Sequence, residues 1–375
     1  MSSLSLGIVG LPNVGKSTLF NALVKNGAAV ASNYPFCTID PTVGIVEVPD
    51  ARLGALSSQV KPQKIVPAVV EFYDIAGIIK GASQGEGLGN KFLSHIRETA
   101  AIILVARFFD HPDIIHVSGS IDPKRDLETV ILELILADLE TVSKAKDRYN
   151  KAARGGDADA KAAVQLIESI EQALMQEKTA KSVLDLKNPL IPEHVQILVE
   201  RELHLLTAKP MLIVANVSEA DIHKTGQSLF EEYNLSSIVP SADWVVPICA
   251  QLEAELSSLE EAEQQEFLEG YGLKESGLTR MVQQAYGLLG LETYFTAGPQ
   301  EVRAWTIPKN SKAPQAAGVI HTDFEKGFIR AEVIAFQDYI TYKGEQGAKE
   351  AGKLRSEGKE YVMKDGDVVH FRFNV

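Results

Sequence analysis

The sequence predicts an α/β fold: a doubly wound domain on a parallel sheet, interrupted by a helical hairpin and followed by a smaller α+β domain. Three observations lead there. The apolar run Leu4 to Val9 meets the Gly-containing loop Gly10 to Gly15, and a helix-compatible stretch runs on from Lys16 to Lys25, giving strand, loop and helix in succession. The runs Ala101 to Ala106 and Pro210 to Ala215 are continuously apolar, as suits strands buried on both faces of a parallel sheet. The interval between those two runs is too long for a simple crossover and carries helical periodicity.

Taken in order, Gly44 to Val48 and Val66 to Tyr73 read as further strands, rich in Val and ending at Asp50 and Asp74. From Asp126 to Tyr149 apolar residues recur at helical spacing in Leu132, Leu136, Leu139 and Val142. A second stretch carries Ala163, Ile167, Ile170 and Leu174, with Gly155-Gly156 as the breaker between them. The spacing favours an antiparallel hairpin with a mutual seam over two ordinary surface helices. Trp244 to Ile248 reads as one more strand. After Gly290 the pattern changes, and from Arg303 short strand-like pieces lead to Tyr361 and a final alternating segment entered through an Asp365-Gly366 turn.

A chain of 375 residues has a prior of two or three domains. Hydrophobic content of 45% with 23% charged residues is that of a globular protein. No apolar run approaches the roughly 20 residues of a membrane span, and the first residues lack the basic and apolar regions of a secretory signal. Cys37 and Cys249 are the only cysteines, too few for a disulfide framework, so a reducing cytoplasm is the expected location. A net charge of −13 argues against non-specific coating of nucleic acid, though not against a local basic patch.

The segment Gly10-Leu-Pro-Asn-Val-Gly15-Lys16-Ser17 matches G-x-x-x-x-G-K-[ST] in its strand–loop–helix context. Its glycines let backbone N–H groups turn inward around phosphate oxygens, and the helix N-terminus adds partial positive charge. Asn13, Val14, Gly15, Lys16, Ser17 and Thr18 are therefore candidate nucleotide contacts, with Lys16 neutralising the β- and γ-phosphates and Ser17 binding Mg²⁺. Asp74-Ile-Ala-Gly77 matches D-x-x-G at a strand end; Asp74 would hold Mg²⁺ through water and the Gly77 amide would sense the γ-phosphate. Thr38 is the natural second side-chain ligand to Mg²⁺, the competing reading being a Thr that caps a turn.

At the base site the pattern departs from that of GTPases. Where those carry N-K-x-D, this chain has Asn216-Val217-Ser218-Glu219. Val217 removes the Lys stem that covers guanine. Glu219 is one methylene longer than the Asp that accepts from guanine N1–H and the 2-amino group. Adenine N1 is an acceptor that repels a carboxylate, while Asn216 would pair with N6 and N7. Cys249, followed by Ala250, stands in the next base loop where GTPases favour Ser. ATP is accordingly favoured over GTP. Ile78 replaces the water-orienting Gln that follows D-x-x-G in Ras-type enzymes, so intrinsic turnover should be slow.

These motifs resemble those of the YchF subfamily of Obg-like ATPases across essentially the whole chain. The resemblance is carried by GLPNVGKSTLFNAL at Gly10, NYPFCTI at Asn33, DIAGIIKGASQGEGLGN at Asp74, NVSE at Asn216, RAWTIP at Arg303, APQAAGVIHTDFEKGFIRAEVI at Ala313 and YKGEQGAKEAGK at Tyr342. It implies a P-loop G domain at 1–125 plus 206–302, an inserted helical hairpin at 126–205 and a C-terminal TGS domain of β-grasp type at 303–375. It also implies ATP preference with weaker GTP binding, Mg²⁺ dependence, weak basal hydrolysis, association with ribosomes and a link to translation and stress responses. By motif it sets Phe109, two residues after Arg107, near adenine.

With Gln missing, His116 is one candidate for orienting the attacking water, against a purely structural histidine. Its rival is Asn13, recruiting K⁺ beside the phosphates. Oxidation of Cys37 or Cys249 would disturb the site, against the plainer reading of two small buried residues. Lys144, Lys146, Arg148, Lys151 and Arg154 gather near the hairpin tip, either as an rRNA-facing patch or as a solvated helix end.

Overall fold

The stretches Ser5–Val9, Ala101–Arg107 and Met211–Asn216 are buried at every position, the pattern of central strands in a parallel sheet. The computed structural model describes residues 4–31, 43–75, 88–111, 119–186 and 188–374. The strands are β1 (Ser5–Val9), β2 (Val43–Glu47), β3 (Lys64–Val66), β4 (Val69–Asp74), β5 (Ala101–Arg107), β6 (Met211–Asn216), β7 (Val245–Ile248), β8 (Leu291–Ala297), β9 (Glu301–Pro308), β10 (Phe328–Ala335), β11 (Arg355–Glu357) and β12 (Asp367–Phe373). The helices that matter below are α1 (Lys16–Ala31), α2 (Ala51–Val60), α3 (Leu88–Glu98), α4 (Pro123–Arg154) and α5 (Ala158–Met175). Two compact units result, Met1–Gly44 with Glu71–Met281, and Ile45–Val70 with Val282–Val375.

In the first unit the sheet order is β2-β4-β1-β5-β6-β7, and β1, β4, β5, β6 and β7 run parallel. Register sets the site. Ile8 lies opposite Asp74, Arg107 opposite Asn216, and Asn216 opposite Ile248, so the carboxyl ends of these strands share one edge of the sheet. That edge is where ligands bind in open α/β sheets.

The hairpin α4–α5 forms as the sequence implies. Asp122 caps α4 by accepting from the Arg125 amide, Pro123 takes the first turn, and Asp157 caps α5 by accepting from the amides of Asp159 and Ala160. Gly156, at φ 94°, makes the reversal. On α5 the expected Ala163, Ile167, Ile170 and Leu174 are all buried. On α4 the expected Val142 is buried, Leu136 and Leu139 are half-buried, and Leu132 is 38% exposed. The buried residues also include Leu127, Val130, Leu134, Asp138, Ala145 and Tyr149, so the inner face is shifted from the expected one and carries a carboxylate that apolar spacing does not pick out. Near the tip, Lys144 pairs with Glu140 at 2.5 Å, Lys146 with Glu171 at 2.7 Å and Arg148 with Glu202 at 2.6 Å. Carboxylates thus offset three of the five cations expected there.

Asp138 fastens the hairpin to the sheet. Its carboxylate accepts from the Leu206 amide at 2.8 Å, the Thr207 amide at 2.8 Å and the Thr207 hydroxyl at 2.7 Å. Beside it, the Lys209 ammonium donates to the carbonyls of Arg97 and Thr99 at the end of α3, while Arg97 donates to Thr141 of α4 at 2.9 Å. Burial, and then the neighbouring Arg97 charge, push the Lys209 pKa down to about 8 against the pull of Asp138.

The second unit holds the sheet β11-β10-β12-β8-β9-β3, in which β10 pairs antiparallel with β11 and β12, β8 pairs antiparallel with β9, and β12/β8 and β3/β9 are parallel. The helix Ala313–Ile320 covers it, and Tyr294, Ile307, Ala316, Phe328, Val333 and Phe371 form the core. The sheet starts at Leu291, ahead of the Arg303 start read from the sequence. The strand expected from Val66 to Tyr73 is broken at Pro67-Ala68, and β3 joins β9 while β4 joins β1. Proline has no N–H to give a ladder, so it marks the change of sheet. Arg52 of α2 binds Asp50 at 2.7 Å and Asp365 at 2.5 Å, and Asp365 also accepts from the Thr293 amide. The Asp365-Gly366 turn, with Gly366 at φ 87°, leads into β12.

Lys209 yields a pH prediction with a definite sign. Unfolded lysine keeps its proton to 10.5, whereas folded Lys209 releases it near 8, so the unfolded state binds more protons between these values and stability rises with pH there. The stability lead of the wild type over Lys209→Met should therefore grow from pH 8 to pH 10, with a slope approaching ~1.4 kcal/mol per pH unit. Urea denaturation at several pH values measures it.

Candidate functional site

Backbone proximity dictates the glycines of the loop after β1. A Cβ on Gly10 would stand 2.3 Å from the Val105 carbonyl oxygen, and one on Gly15, already at φ 97°, would stand 2.3 Å from the Asn216 amide nitrogen. Asn13 adopts φ 62° and is exposed. Val14 is buried beneath the loop. Ser17 and Thr18, in the first turn of α1, are exposed at its N-terminal end, where unpaired N–H groups favour an anion.

Lys16 is buried and donates to the Leu11 carbonyl at 2.9 Å. Burial lowers its pKa, and the Asp74 carboxylate opposes the shift. Asp74, half-buried at the end of β4, has its pKa raised by burial and pulled back by Lys16. Lys16 at the start of α1 and Asp74 at the end of β4 therefore lie within electrostatic range of each other. Ser17 and Asp74 offer hard oxygen donors, the chemistry Mg²⁺ prefers, and a P-loop of this kind works with Mg²⁺ as its cofactor.

A cavity of about 1180 Å³ opens over this edge. Asn13, Gly15, Lys16, Ser17 and Thr18 line it together with Phe109, Asp110 and His111, the run Asn216 to Ala220, and Cys249, Ala250 and Gln251. Asp110, His111, Ala220 and Gln251 were not singled out in the sequence; all but His111 directly follow a residue that was. Thr38, Gly77, Ile78, His116 and Cys37 lie outside the described residues.

Asn216, expected to contact the base, makes two buried hydrogen bonds within the protein. It is 5% exposed; its Nδ2 donates to the Val14 carbonyl at 2.9 Å, and its Oδ1 accepts from the Ala250 amide at 3.1 Å. One N–H and one lone pair are thus committed to joining the phosphate loop to the loop after β7. Val217 is 2% exposed and its amide donates to the Ile248 carbonyl, so its side chain belongs to the core. Glu219 is exposed and lines the cavity. Cys249 is buried, and burial pushes its thiol pKa up, which disfavours the reactive thiolate.

Comparison with known proteins agrees with this geometry. A family model described as 50S ribosome-binding GTPase matches residues 5–145, and a model of the YchF GTPase C-terminal domain, described as a protein of unknown function, matches residues 291–374. The chain is 55% identical over 374 residues to the ribosome-binding ATPase YchF of Bacillus subtilis, covering 100% of each. It is 52% identical over 369 residues to that of Haemophilus influenzae, covering 98% of this chain and 99% of the relative. Among solved structures, the YchF GTPase of Schizosaccharomyces pombe superposes with a TM-score of 0.84 at 40% identity, covering 99% of this chain and 98% of that one.

Replacing Asn216 by Ala would leave the Val14 carbonyl and the Ala250 amide without their partner in a buried setting. The expected loss is about 1–3 kcal/mol of stability, together with weaker nucleotide binding, read by urea denaturation and by titration of the same preparation.

Proposed function

The chain belongs to the YchF family of P-loop nucleotide hydrolases, and from that premise we propose that it is a Mg²⁺-dependent ATPase that associates with ribosomes and binds GTP more weakly. One observation carries the reading: a phosphate cradle at one end of the cavity and a base end without a guanine clamp. A guanine clamp needs a free carboxylate and a covering Lys stem. Here the stem's position is the buried Val217, and the carboxylate's position holds Glu219, one methylene longer than Asp. The curated relatives are named ribosome-binding ATPases, which supports both the nucleotide and the partner.

In this reading, Lys16 exchanges the Leu11 carbonyl for phosphate oxygens, and the loop amides from Asn13 to Thr18 surround them. Ser17 and Thr38 hold Mg²⁺ directly and Asp74 through water, with Gly77 reporting the γ-phosphate. The metal, when bound, neutralises charge on the β- and γ-phosphates. Asn216 shapes the base end by holding Val14 and Ala250 together, while Phe109, Val217, Glu219 and Cys249 line it. His116, or K⁺ recruited through Asn13, takes the place of the missing water-orienting Gln, and with Ile78 after D-x-x-G turnover is slow. A cytoplasmic location follows from the ribosomal partner; no described helix is long and apolar enough to cross a membrane. Domain limits of 1–125 plus 206–302, 126–205 and 303–375 belong to the same proposal. An rRNA contact at the hairpin tip would rest on Lys151 and Arg154, with Lys144, Lys146 and Arg148 released from their carboxylates.

Titration of ATP and GTP, with phosphate release followed with and without ribosomes, tests the proposal. ATP should bind more tightly, and Lys16→Ala should lower turnover about 10²–10³-fold, as removal of a charge clamp does. Tighter GTP than ATP binding would refute the base reading. A rate that is the same in K⁺ and Na⁺ would remove the monovalent ion.

A further inference from the structure

We propose that Arg107 is a positioning residue for the purine end of the cavity: it holds the loop 109–111 and lies over Phe109, so that this ring stands as a wall against the base. The proposal rests on the reading of the cavity as a nucleotide site. Arg107 ends β5 after six apolar residues, and at 0% exposure it is the bulkiest fully buried side chain among the described residues. A guanidinium remains charged at any ordinary pH, so burying it is costly unless its donors are met.

Its fork reaches forward along its own chain. Nε donates to the Phe109 carbonyl at 3.0 Å, and a terminal nitrogen donates to the His111 carbonyl at 3.3 Å. The guanidinium carbon lies 4.8 Å from the Phe109 ring centroid, within cation–π range. Asp110, between the two carbonyls, lies 3.9 Å away with its side chain 94% exposed. Two backbone acceptors and one ring are thus tied to a single planar group, which a lysine ammonium cannot reproduce.

The anchor is rigid. Arg107 lies opposite Asn216 in the sheet, and the Phe108 amide donates to the Asn216 carbonyl at 2.8 Å. The loop it holds lines the same cavity as Asn216 to Ala220. The guanidinium holds one face of the Phe109 ring, and Phe109 lines the cavity, where the proposal sets its ring against a flat base. Stacking on an aromatic ring uses the π-face that every base has. Arg107 therefore governs how tightly the base is held, and leaves the choice between adenine and guanine to residues 217 to 219.

Calorimetric titration of the full chain with Mg²⁺ present tests this, using ATP, GTP and inorganic tripolyphosphate on wild type, Arg107→Lys, Phe109→Leu and the double variant. Arg107→Lys and Phe109→Leu should each weaken ATP about tenfold or more, and GTP by the same factor. The double variant should be no weaker than Phe109→Leu alone, and tripolyphosphate should bind all four proteins alike. The proposal is overturned if Arg107→Lys weakens tripolyphosphate as much as ATP, if the two losses multiply in the double variant, or if Phe109→Leu binds ATP as wild type does. Should Arg107→Lys fail to fold, Arg107→Gln, which keeps a planar donor without the charge, takes its place in the same comparison with the same outcomes. A wild type that binds neither ATP nor tripolyphosphate brings down the nucleotide reading itself, an outcome distinct from selective loss of the base.

Discussion

The side-chain amide of Asn216 joins two loops that the sheet by itself leaves separate. Parallel register brings the ends of β1, β5, β6 and β7 to one edge, but register fixes strands and not the loops beyond them. Through its bonds to Val14 and Ala250, Asn216 couples the phosphate loop to the loop after β7. Gly15 has no Cβ because that amide occupies the space. Phosphate cradle and base end are therefore one construction, and a change in either loop reaches the other through a single buried side chain.

Around this tie the charges are arranged for a ligand that brings its own. Lys16 and Asp74 are both partly withdrawn from water, and each is shifted by burial against the attraction of the other. A buried ammonium resting on one carbonyl has donors to offer phosphate oxygens, and a half-buried carboxylate suits a hydrated divalent cation. The same cavity is lined by Phe109, backed by Arg107, and by the buried Val217 and Cys249.

The residues of the Gly-rich loop that line the cavity were legible because phosphate chemistry tolerates few alternatives. A loop that wraps a triphosphate needs glycines at fixed places, a lysine and a hydroxyl, and the spacing alone finds them. The α5 face and the Gly155-Gly156 reversal were legible for a similar reason, since one apolar stripe and one breaker leave a single arrangement. The α4 face was not. Leu132, Leu136 and Leu139 satisfy helical spacing as well as the buried set does, and the deciding residue, Asp138, is a carboxylate that no apolar pattern would place inside. The single strand read from Val66 to Tyr73 failed at Pro67, whose missing N–H sends its two sides to different sheets.

From the sequence alone came the chemistry of the phosphate end, the parallel α/β class and the departure from a guanine clamp, because these depend on residue types at short, fixed separations. Only the tertiary structure decided that Asn216 bonds Val14 and Ala250, that Arg107 is buried over Phe109, and that carboxylates of α4, α5 and beyond offset much of the hairpin's basic cluster. Each of these is a hydrogen bond, ring contact or ion pair set by folding. One-dimensional spacing carries no information about which donor will meet which acceptor there.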